Sequence, residues 1–539
     1  MTGIRMDFPI AKLEELSYLQ GRQLEFDSIA EMFYTRVQEA PDSTHVLFYD
    51  QVITYAQTNQ RANQVANYLK KKGVQKGDVV SVMVLNSPEV YYTMFGIQKL
   101  GAIAGAVNYM LKGPEIAYLL DDCKPKVAFV SSEFMKDFAA GYALAQHKPV
   151  VVEVVTGVEH DSQISECTLE EIRSQYPDTE TLVKQSPDDP FLLLYSSGTT
   201  GKPKGILLSN KAQLSVCRDM NRIQLFQGQD VMMIILPMFH TNPLCVWTYP
   251  LTYGGQTLCI RKAFSPPDFW PAVMQYGVTV VFGVPAMYNY IFNSADPKII
   301  DPARLKVRYA FSGAAPLPVE LIHGFKDKFN IEIVEGYGLT EVTGVSTVNP
   351  PVGKKIPGSI GLPLPEQEVE IMDDTNQIMP QGEAGEVCVR ADADMLAYLN
   401  QPDATSETIK DGWLHTGDVG YMDEYGYLYI VDRKKDMINR GGENIYPREI
   451  EIAIEANPKV SEVAVIGVPD PALGERVKAF IIPRPDQSLT ADEIKAFLQD
   501  KMARYKIPEF IEITNDIPRN ATGKILKKEL REMDAAKKI

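Results

Sequence analysis

A glycine-rich run at residues 195–205, with the sequence Tyr-Ser-Ser-Gly-Thr-Thr-Gly-Lys-Pro-Lys-Gly, carries the clearest chemical signal in this chain. Its glycines let backbone N–H groups approach phosphate oxygens, its serine and threonine hydroxyls add hydrogen-bond donors, and its lysines add positive charge. Apolar residues precede it at 191–194 and follow it at 206–208, which is typical of a loop between two strands. The run therefore predicts a phosphate-binding loop.

The spacing inside this glycine-rich loop distinguishes it from other phosphate-binding loops. A Walker A loop has four residues between its glycines and Ser or Thr after Gly-Lys. Here two residues separate Gly198 from Gly201, and Pro203 follows the Gly-Lys pair. The GxGxxG pattern of kinases and dinucleotide-binding proteins fails as well. The remaining alternative is a surface hairpin that binds nothing.

A second signal lies near the C-terminus, where residues 518–524 read Pro-Arg-Asn-Ala-Thr-Gly-Lys. The Thr522-Gly523 pair predicts a tight turn, from which the long cationic side chain of Lys524 would project. On spacing alone, Lys524 could equally be an ordinary surface lysine, because several other lysines lie close by in the tail.

Together with further motifs in a fixed order, these segments make the chain resemble the adenylate-forming superfamily of acyl-CoA synthetases, luciferases and peptide-synthetase adenylation domains. The resemblance covers nearly the whole chain, and one motif could match by chance where the ordered set could not. Besides the glycine-rich loop, the matching motifs are at 313–317, 335–341, 413–418, 432–436, 441–447 and 518–524.

This resemblance implies a two-step reaction, in which ATP activates a carboxylic acid as its acyl-AMP and coenzyme A then takes up the acyl group. Because both reactants of the first step are anions, the site must neutralise charge and align the groups. The resemblance makes Lys524 the bridge between the carboxylate and the α-phosphate. The catalytic residues that it implies are Lys524, Thr200, Glu341 and His240, and it places a magnesium ion at Thr200 and Glu341.

The resemblance also assigns residues to ATP and coenzyme A. Asp418 is expected to accept hydrogen bonds from the ribose hydroxyls, and Tyr337 offers a flat face for adenine. The cofactor-binding residues implied in this way are Ser196, Ser197, Gly198, Thr199, Thr200, Gly201, Lys202, Lys204, Gly313, Ala314, Ala315, Glu335, Gly336, Tyr337, Gly338, Thr340, Asp418, Ile430, Arg433, Lys435, Gly441, Gly442, Glu443 and Lys524.

The hinge and the coenzyme A channel are assigned for the second step. They are needed because Lys524 occupies the surface that the thiol must reach. Similar proteins rotate a small domain about a hinge residue, and the matching residue here is Lys435. Gly441, Gly442 and Glu443 are then expected to line the pantetheine channel. A plain turn is the alternative interpretation of the two glycines.

The acid pocket is expected to draw on His240, Thr241, Val246, Trp247, Phe282, Gly283, Ala286 and Gly338. His240 could equally be a core histidine bonded to a carbonyl group. Adenylation domains for α-amino acids carry an aspartate in this stretch, whereas residues 240–243 contain no acid, so an amino-acid substrate is not expected. The mostly apolar lining favours a medium- or long-chain fatty, alicyclic or aromatic acid, and Trp247 would limit chain length.

Composition narrows the class of protein further. The 539 residues carry a formal charge of −16, which argues against nucleic acid as a partner. Six scattered cysteines, with no signal peptide and no apolar run of membrane-spanning length, indicate a cytoplasmic protein with free thiols. The oligomeric state does not follow from the sequence, although a homodimer is common in similar proteins.

The elements that must position these residues follow an α/β pattern. Thr54 with Gln57 predicts a capping box, Val79–Leu85 a strand buried on both faces, and Ser87-Pro88 the start of a helix. Further strands are expected at 102–107, 278–282 and 463–468, and helices at 322–329, 447–455 and 491–502. We expect a large multi-sheet domain of parallel βα units at 1–431 and a small mobile α+β domain at 432–539.

The function predicted from the sequence is therefore that of an AMP-forming acyl-CoA synthetase, whose reaction can run in either direction. An acyl-AMP ligase or a luciferase-like enzyme that does not use coenzyme A is the alternative. A catalytically silent sensor with the same fold would need a broken motif, and none is visible.

Overall fold

The computed structural model describes residues 24–537 except 158–162, 197–202, 224, 227, 296, 297, 299, 316, 442 and 520–524. The chain divides into two compact units. We call Met1–Val369 with Val389–Leu414 the first unit, and Glu370–Cys388 with His415–Ile539 the second unit. Among the helices of the described residues, none is both long and apolar enough to cross a bilayer.

Helices and strands alternate through most of the first unit, as the α/β pattern predicts. The helices are α1 (Ile29–Glu39), α2 (Tyr55–Lys71), α3 (Pro88–Lys99), α4 (Gly113–Cys123), α5 (Met135–Leu144), α6 (Leu169–Gln175), α7 (Asn210–Arg222), α8 (Tyr249–Tyr253), α9 (Pro266–Tyr276), α10 (Pro285–Asn293), α11 (Val319–Phe329), α12 (Pro402–Thr408), α13 (Pro447–Glu455), α14 (Ala491–Leu498) and α15 (Lys527–Ala536). A π-helix, Asn242–Thr248, leads into α8.

The strands, in chain order, are β1 (Thr44–Phe48), β2 (Gln51–Thr54), β3 (Val79–Met83), β4 (Ile103–Ala106), β5 (Val127–Ser131), β6 (Val150–Val154), β7 (Ser165–Thr168), β8 (Pro190–Ser196), β9 (Lys204–Ser209), β10 (Val231–Ile234), β11 (Thr257–Ile260), β12 (Val280–Gly283), β13 (Tyr309–Ser312), β14 (Ile333–Tyr337), β15 (Thr347–Val348), β16 (Leu362–Pro363), β17 (Glu368–Met372), β18 (Gly385–Arg390), β19 (Ala397–Tyr398), β20 (Ile409–Lys410), β21 (Trp413–Met422), β22 (Leu428–Arg433), β23 (Ile438–Arg440), β24 (Glu443–Ile445), β25 (Val460–Asp470), β26 (Gly474–Pro483) and β27 (Phe510–Ile513).

Two large sheets form the first unit. One has the order β16-β15-β14-β13-β12-β10-β11-β1-β2 and is parallel from β14 to β1. The other has the order β19-β9-β8-β4-β3-β5-β6-β7 and is parallel from β8 to β7. Parallel strands joined by helices are buried on both faces, which explains their continuous apolar runs. The predicted fold class is confirmed.

Local sequence rules account for several element boundaries. Thr54 Oγ1 accepts the Gln57 N–H at 3.1 Å, and the Gln57 side chain accepts the Thr54 N–H at 2.9 Å, so the predicted capping box starts α2. Pro88 is the first residue of α3 as expected. Four predicted elements are shorter than expected. β3 ends at Met83, β4 covers only Ile103–Ala106, β12 begins at Val280, and α14 ends at Leu498.

An apolar core covers the face of the first sheet that α9, α10 and α11 pack against. Trp270 and Tyr288 are its largest members, and the Tyr288 hydroxyl donates to the Phe311 carbonyl oxygen at 2.6 Å. This core fixes β12, β13 and β14, whose ends carry many of the predicted site residues.

The second unit is an α+β structure, as predicted for the C-terminal part of the chain. β25 and β26 form a long antiparallel pair, which β23, β24 and β27 extend, and α13 and α14 share an apolar core with this sheet. A second sheet pairs β21 with β22 in antiparallel register. The predicted boundary at residue 432 concerns which residues move together and stays a prediction.

Candidate active site

The two strands that flank the glycine-rich loop are an antiparallel pair in the first unit. β8 ends at Ser196 and β9 begins at Lys204, and these two residues are partners in the antiparallel register. The Tyr195 hydroxyl donates to Asp122 Oδ2 at 2.7 Å, and the Lys204 ammonium lies 4.6 Å from the centre of the Tyr398 ring. The base of the predicted phosphate-binding loop is therefore fixed on both strands.

Part of the predicted site lies outside the described residues. This part comprises Ser197, Gly198, Thr199, Thr200, Gly201, Lys202, Gly442 and Lys524. Their predicted roles, including the catalytic lysine and one magnesium ligand, stay predictions.

Glu341, the other predicted magnesium ligand, is held by a residue that the sequence did not single out for this purpose. The Tyr398 hydroxyl donates to Glu341 Oε1 at 2.9 Å, and the Met395 N–H donates to the Glu341 carbonyl oxygen at 2.7 Å. Burial and the neighbouring carboxylate raise the pKa of Tyr398. Tyr398 therefore stays a hydrogen-bond donor. Beside Glu341, the hydroxyls of Thr340 and Thr241 are 2.6 Å apart.

The predicted adenine-binding segments lie on or directly after two neighbouring parallel strands: residues 313–315 follow β13, and residues 335–337 end β14. A Cβ atom on Gly313 would lie 3.2 Å from the Gly336 carbonyl oxygen, and one on Gly336 would lie 2.4 Å from the Phe311 ring. Ala314 has a φ of 69°, a left-handed conformation that non-glycine residues rarely adopt. The backbone at the end of these strands is thus packed too closely for larger side chains.

A cavity of about 170 Å³ lies beside Glu335 in the first unit, and its wall includes Ile322, Asn349, Ile356 and Pro357. The Glu335 side chain is 7% exposed. Burial raises the pKa of Glu335 to about 7. The Gly358 N–H, which donates to Glu335 Oε2 at 3.2 Å, opposes this rise by stabilising the carboxylate. This buried carboxyl group can accept one more hydrogen bond, and it changes charge near neutral pH.

The predicted acid pocket contains an aromatic cluster formed by Phe226, Trp247, Phe282 and Phe311. The Trp247 ring lies 5.8, 5.5 and 4.9 Å from the other three ring centres in that order. Its Nε1–H donates to Asn242 Oδ1 at 2.8 Å, and its side chain is 1% exposed. Trp247 is therefore fixed in position within this cluster.

A second part of the predicted pocket gathers around Gly344, which the sequence did not point to. A Cβ atom there would lie 2.7 Å from Val246 Cγ2 and 2.9 Å from Thr241 Cγ2, and one on Gly338 would lie 2.5 Å from the Val345 Cα. The structure thus brings Thr241, Val246 and Gly338 together around residues 344 and 345. Gly344 has a left-handed φ of 97°, and neither this conformation nor its neighbours could be read from the sequence.

The other predicted pocket residues are placed as follows. Gly283 ends β12, where a Cβ atom would meet the Tyr288 ring at 3.2 Å, and Ala286 lies half-buried in the first turn of α10. His240 Nε2 is buried and has no hydrogen-bond partner among the described residues. Burial lowers the pKa of His240 to about 4, so the ring is neutral at neutral pH. Its predicted role stays a prediction.

In the second unit, Asp418 and Arg433 face each other on β21 and β22. Arg433 Nε lies 3.1 Å from Asp418 Oδ1, and the Thr416 hydroxyl accepts the Asp418 N–H at 3.1 Å. The Asp418 side chain is 7% exposed and that of Arg433 is 39% exposed. Ile430 pairs with Gly420 on the same two strands. A fixed carboxylate beside a guanidinium group suits vicinal hydroxyls near a phosphate.

The predicted hinge and channel residues also lie in the second unit. Lys435 is exposed in a short 3-10 turn, Lys434–Asp436, directly after β22. Gly441 has a left-handed φ of 64°, and its N–H donates to the Leu473 carbonyl oxygen at 2.7 Å. Glu443 is exposed at the start of β24. This geometry fits the plain turn as well as the channel, so both interpretations stay open.

Comparison with known proteins decides the family. The model of the AMP-binding enzyme family matches residues 33–399, and the model of the AMP-binding enzyme C-terminal domain matches residues 449–524. This chain belongs to the AMP-binding enzyme family. The predicted resemblance and the predicted class, an AMP-forming acid–thiol ligase, are confirmed.

Relatives of this AMP-binding enzyme match over nearly their full lengths. A feruloyl-CoA synthase from Amycolatopsis sp is 34% identical over 498 residues, which cover 92% of this chain and 97% of the relative. The long-chain-fatty-acid–CoA ligase FadD13 of Mycobacterium tuberculosis is 35% identical over 486 residues, which cover 90% of this chain and 93% of the relative.

Solved structures agree with the fold of this AMP-binding enzyme. ATP-bound MatB from Rhodopseudomonas palustris has a TM-score of 0.86 at 28% identity and covers 94% of this chain and 99% of its own. The anthranilate CoA ligase AuaEII in complex with anthranoyl-AMP has a TM-score of 0.87 at 29% identity and covers 96% and 99%.

Proposed function

We propose that this AMP-binding enzyme joins a monocarboxylic acid with an apolar, fatty or aromatic body to coenzyme A. In the first step a carboxylate oxygen attacks the α-phosphorus of ATP, and pyrophosphate leaves. In the second step the sulfur of coenzyme A attacks the acyl carbon, and AMP leaves. The observation that carries the substrate class is the neutral aromatic cluster around Trp247 in the predicted acid pocket.

The substrate class follows from the cost of burying charge. The aromatic cluster, Val246 and Gly344 offer no ionised side chain that could pair with a second charge on the acid. An unpaired charge in such surroundings costs several kcal/mol, so dicarboxylates and amino acids are disfavoured. Flat rings and a glycine between Val246 and Thr241 favour a flat or narrow acid. Trp247 would then limit its length.

ATP recognition is supported by separate features of the two units. In the first unit, Glu335 can accept a hydrogen bond from an exocyclic amine of adenine. Tyr337 offers a ring face, and the closely packed Gly313 and Gly336 keep side chains out of its neighbourhood. In the second unit, we assign the ribose hydroxyls to Asp418, with Arg433 as a further donor.

The residues for a magnesium ion fit its chemistry in part. Magnesium prefers hard oxygen ligands, and Glu341 supplies a carboxylate whose second oxygen is fixed by Tyr398. We assign Glu341 and Thr200 to this ion, which would neutralise phosphate charge. Lys524 is assigned to the meeting point of carboxylate and α-phosphate, and Lys435 to the hinge, both from the family motif.

An acid panel tests the proposal. Straight-chain, branched, alicyclic, benzoic and cinnamic acids, together with malonate and phenylalanine, are offered with ATP, and AMP release is measured with and without coenzyme A. We expect coenzyme-A-dependent AMP release with one class of neutral-bodied acids and none with malonate or phenylalanine. Turnover of malonate in preference to every neutral-bodied acid would refute the assigned substrate class.

A second candidate function differs only in the acceptor thiol. The fatty acid–[acyl-carrier-protein] ligase ScoC of Streptomyces coeruleorubidus is 32% identical over 516 residues, which cover 93% of this chain and 96% of that relative. If the acceptor here were a carrier protein, acyl-AMP would form in the acid panel but coenzyme A would not speed AMP release. Adding a pantetheine-loaded carrier protein would then speed AMP release.

The state of the cysteines supports a reducing compartment. All six cysteines are free, and five of them are buried. Free thiols are typical of cytoplasmic proteins, and we propose a cytoplasmic location. A homodimer stays a prediction.

A further inference from the structure

One carboxylate of the second unit holds the segments on which Asp418 and Arg433 lie. Glu386, on β18, is 12% exposed at its side chain. Its Oε1 accepts the Gly417 N–H at 3.0 Å, and its Oε2 lies 3.2 Å from His415 Nδ1 and 3.3 Å from Lys434 Nζ. We call Glu386 with these three partners the Glu386 clamp.

The partners in the clamp are the immediate neighbours of the proposed nucleotide-binding pair. Gly417 directly precedes Asp418, and Lys434 directly follows Arg433. The Glu386 side chain therefore holds the backbone of the residue before Asp418 and the side chain of the residue after Arg433. A change at Glu386 would reach both partners of the 3.1 Å ion pair without touching either.

A second link from β18 reaches the same carboxylate. The Thr416 hydroxyl donates to the Val387 carbonyl oxygen at 2.7 Å and accepts the Asp418 N–H at 3.1 Å. The backbone N–H of Asp418 is thus held through the residue next to Glu386. Because a carboxylate must meet two vicinal hydroxyls at once, a small rotation of Asp418 would weaken both hydrogen bonds.

The charges in the clamp are balanced for an ionised Glu386. Burial opposes ionisation, but the His415 hydrogen bond, the Lys434 ammonium and the Gly417 N–H together hold the pKa of Glu386 below its usual range. The Lys434 ammonium also lies 2.7 Å from Asp374 Oδ1, so it bridges two carboxylates.

A metal site is the competing interpretation of the same side chains. One ligand atom from each of Glu386, Cys388 and His415 lies within 4.8 Å of the others, a spacing that a zinc ion could bridge. However, the Lys434 ammonium already pairs with the Glu386 oxygen that faces His415. A resident cation at that oxygen favours a hydrogen-bonded clamp over a metal centre.

We propose that Glu386 is a positioning residue, which orients the Asp418 carboxylate toward the ribose hydroxyls of ATP. This inference rests on the proposed role of Asp418 in nucleotide binding. Glu386 itself contacts no substrate in this proposal, and its effect passes through the 415–418 segment and through Lys434.

The test compares ATP with 2′,3′-dideoxy-ATP, which lacks both hydroxyls. In Glu386→Gln we expect the KM for ATP to rise about tenfold, as for the loss of a hydrogen bond to a charged group, while the KM for the dideoxy nucleotide stays unchanged. A general structural defect would raise both. Asp418→Asn should give the same pattern with a larger change. Glu383→Gln, an exposed glutamate three residues earlier, is the matched control and should change neither.

The outcomes separate this inference from the proposed function. If Asp418→Asn does not discriminate between the two nucleotides, the proposed ribose contact is wrong. If Asp418→Asn discriminates and Glu386→Gln raises both KM values equally, Glu386 is only structural and the inference is overturned. Stoichiometric zinc in the purified enzyme that Glu386→Gln removes would also overturn it, in favour of the metal site. Should Glu386→Gln fail to fold, Lys434→Ala tests one arm of the clamp with the same nucleotide pair.

Discussion

The two units hold their candidate site residues by different physical means. In the first unit, Gly313, Gly336 and Gly344 lie so close to neighbouring atoms that a Cβ atom at each would stand 3.2 Å or less from another heavy atom. In the second unit, Asp418 and Arg433 are held by an ion pair and by hydrogen bonds from neighbours. The first arrangement depends on shape, and the second depends on charge.

This difference predicts how each region responds to change. Closely packed backbone cannot easily make room for a larger side chain. Substitutions at these glycines of the first unit should therefore act through size, and their effects on activity should not depend on salt. Partly exposed ion pairs are screened by salt, so substitutions in the second unit should act through charge and nucleotide binding. Each of the following experiments either sharpens this contrast or breaks it.

Removing the predicted catalytic cation should have the largest effect. In Lys524→Ala we expect acyl-AMP formation to fall by about 10²- to 10³-fold or more, because a preorganised charge at the reacting phosphate is lost. Thioester formation from supplied acyl-AMP should largely survive. Single-turnover assays of the two steps measure this, with Lys528→Ala, an exposed lysine, as the control. An equal loss in both steps would refute the division of roles.

Filling the space at Gly344 tests the shape-dependent region. In Gly344→Ala the new methyl group would collide with Val246 and Thr241, and we expect kcat/KM for the best acid to fall about 10- to 100-fold with the KM for ATP unchanged. The double variant Gly344→Ala with Val246→Ala should recover part of the loss, because Val246 Cγ2 is removed while the contact with Thr241 Cγ2 remains.

The control for this substitution separates backbone strain from collision. Gly255 also has a left-handed φ, of 75°, but a Cβ atom there would meet nothing within 4 Å. Gly255→Ala should therefore lower the melting temperature by a similar strain and leave the acid preference unchanged. If both variants change kcat/KM alike, the pocket assignment of Gly344 is wrong.

The sequence predicted the features that depend on neighbouring residues along the chain. The capping box at Thr54 and the helix start at Pro88 involve contacts within about four residues, so residue types alone determine them. The two apolar runs that flank the glycine-rich segment were equally legible, and they lie in β8 and β9.

Contacts between distant segments could not be predicted in the same way. Tyr398 reaches Glu341 across 57 residues, and Glu386 reaches His415 across 29, through strand pairings whose register the sequence does not state. Gly344 is crowded by Val246 only because the π-helix at 242–248 packs against it. Such residues carry no pattern of their own, so only the packed structure identifies them.

The buried carboxyl group of Glu335 tests whether charge matters in the first unit as well. Because its pKa is raised to about 7, Glu335 is mostly protonated below that pH. A neutral carboxyl group is a weaker hydrogen-bond acceptor for adenine than a carboxylate. We expect the KM for ATP to rise up to about tenfold between pH 8 and pH 6, since about a tenth of the group stays ionised at pH 6. Glu335→Gln should flatten this profile, and Glu320→Gln should not.

The same group links pH to stability with a defined sign. The folded protein binds the Glu335 proton more tightly than the unfolded chain, whose pKa is near the ordinary 4.5, so this group lowers stability as pH rises from 4.5 to 7. The melting temperature of Glu335→Gln minus that of the wild type should therefore increase between pH 5 and pH 8. A difference that stays constant or decreases would contradict the raised pKa.

The smallest effect is expected at Tyr398, where a single hydroxyl fixes one oxygen of Glu341. Tyr398→Phe keeps the ring against the Lys204 ammonium and removes only the 2.9 Å hydrogen bond. A hydrogen bond of this kind contributes about 1 kcal/mol, so the magnesium concentration at half-maximal activity should rise roughly threefold to fivefold. Tyr290→Phe, an exposed tyrosine of the same unit, is the control. If Tyr398→Phe changed the acid preference and left the magnesium dependence as it was, Glu341 would belong with the shape-dependent residues around Gly344, and the assignment of a metal ion to it would fail.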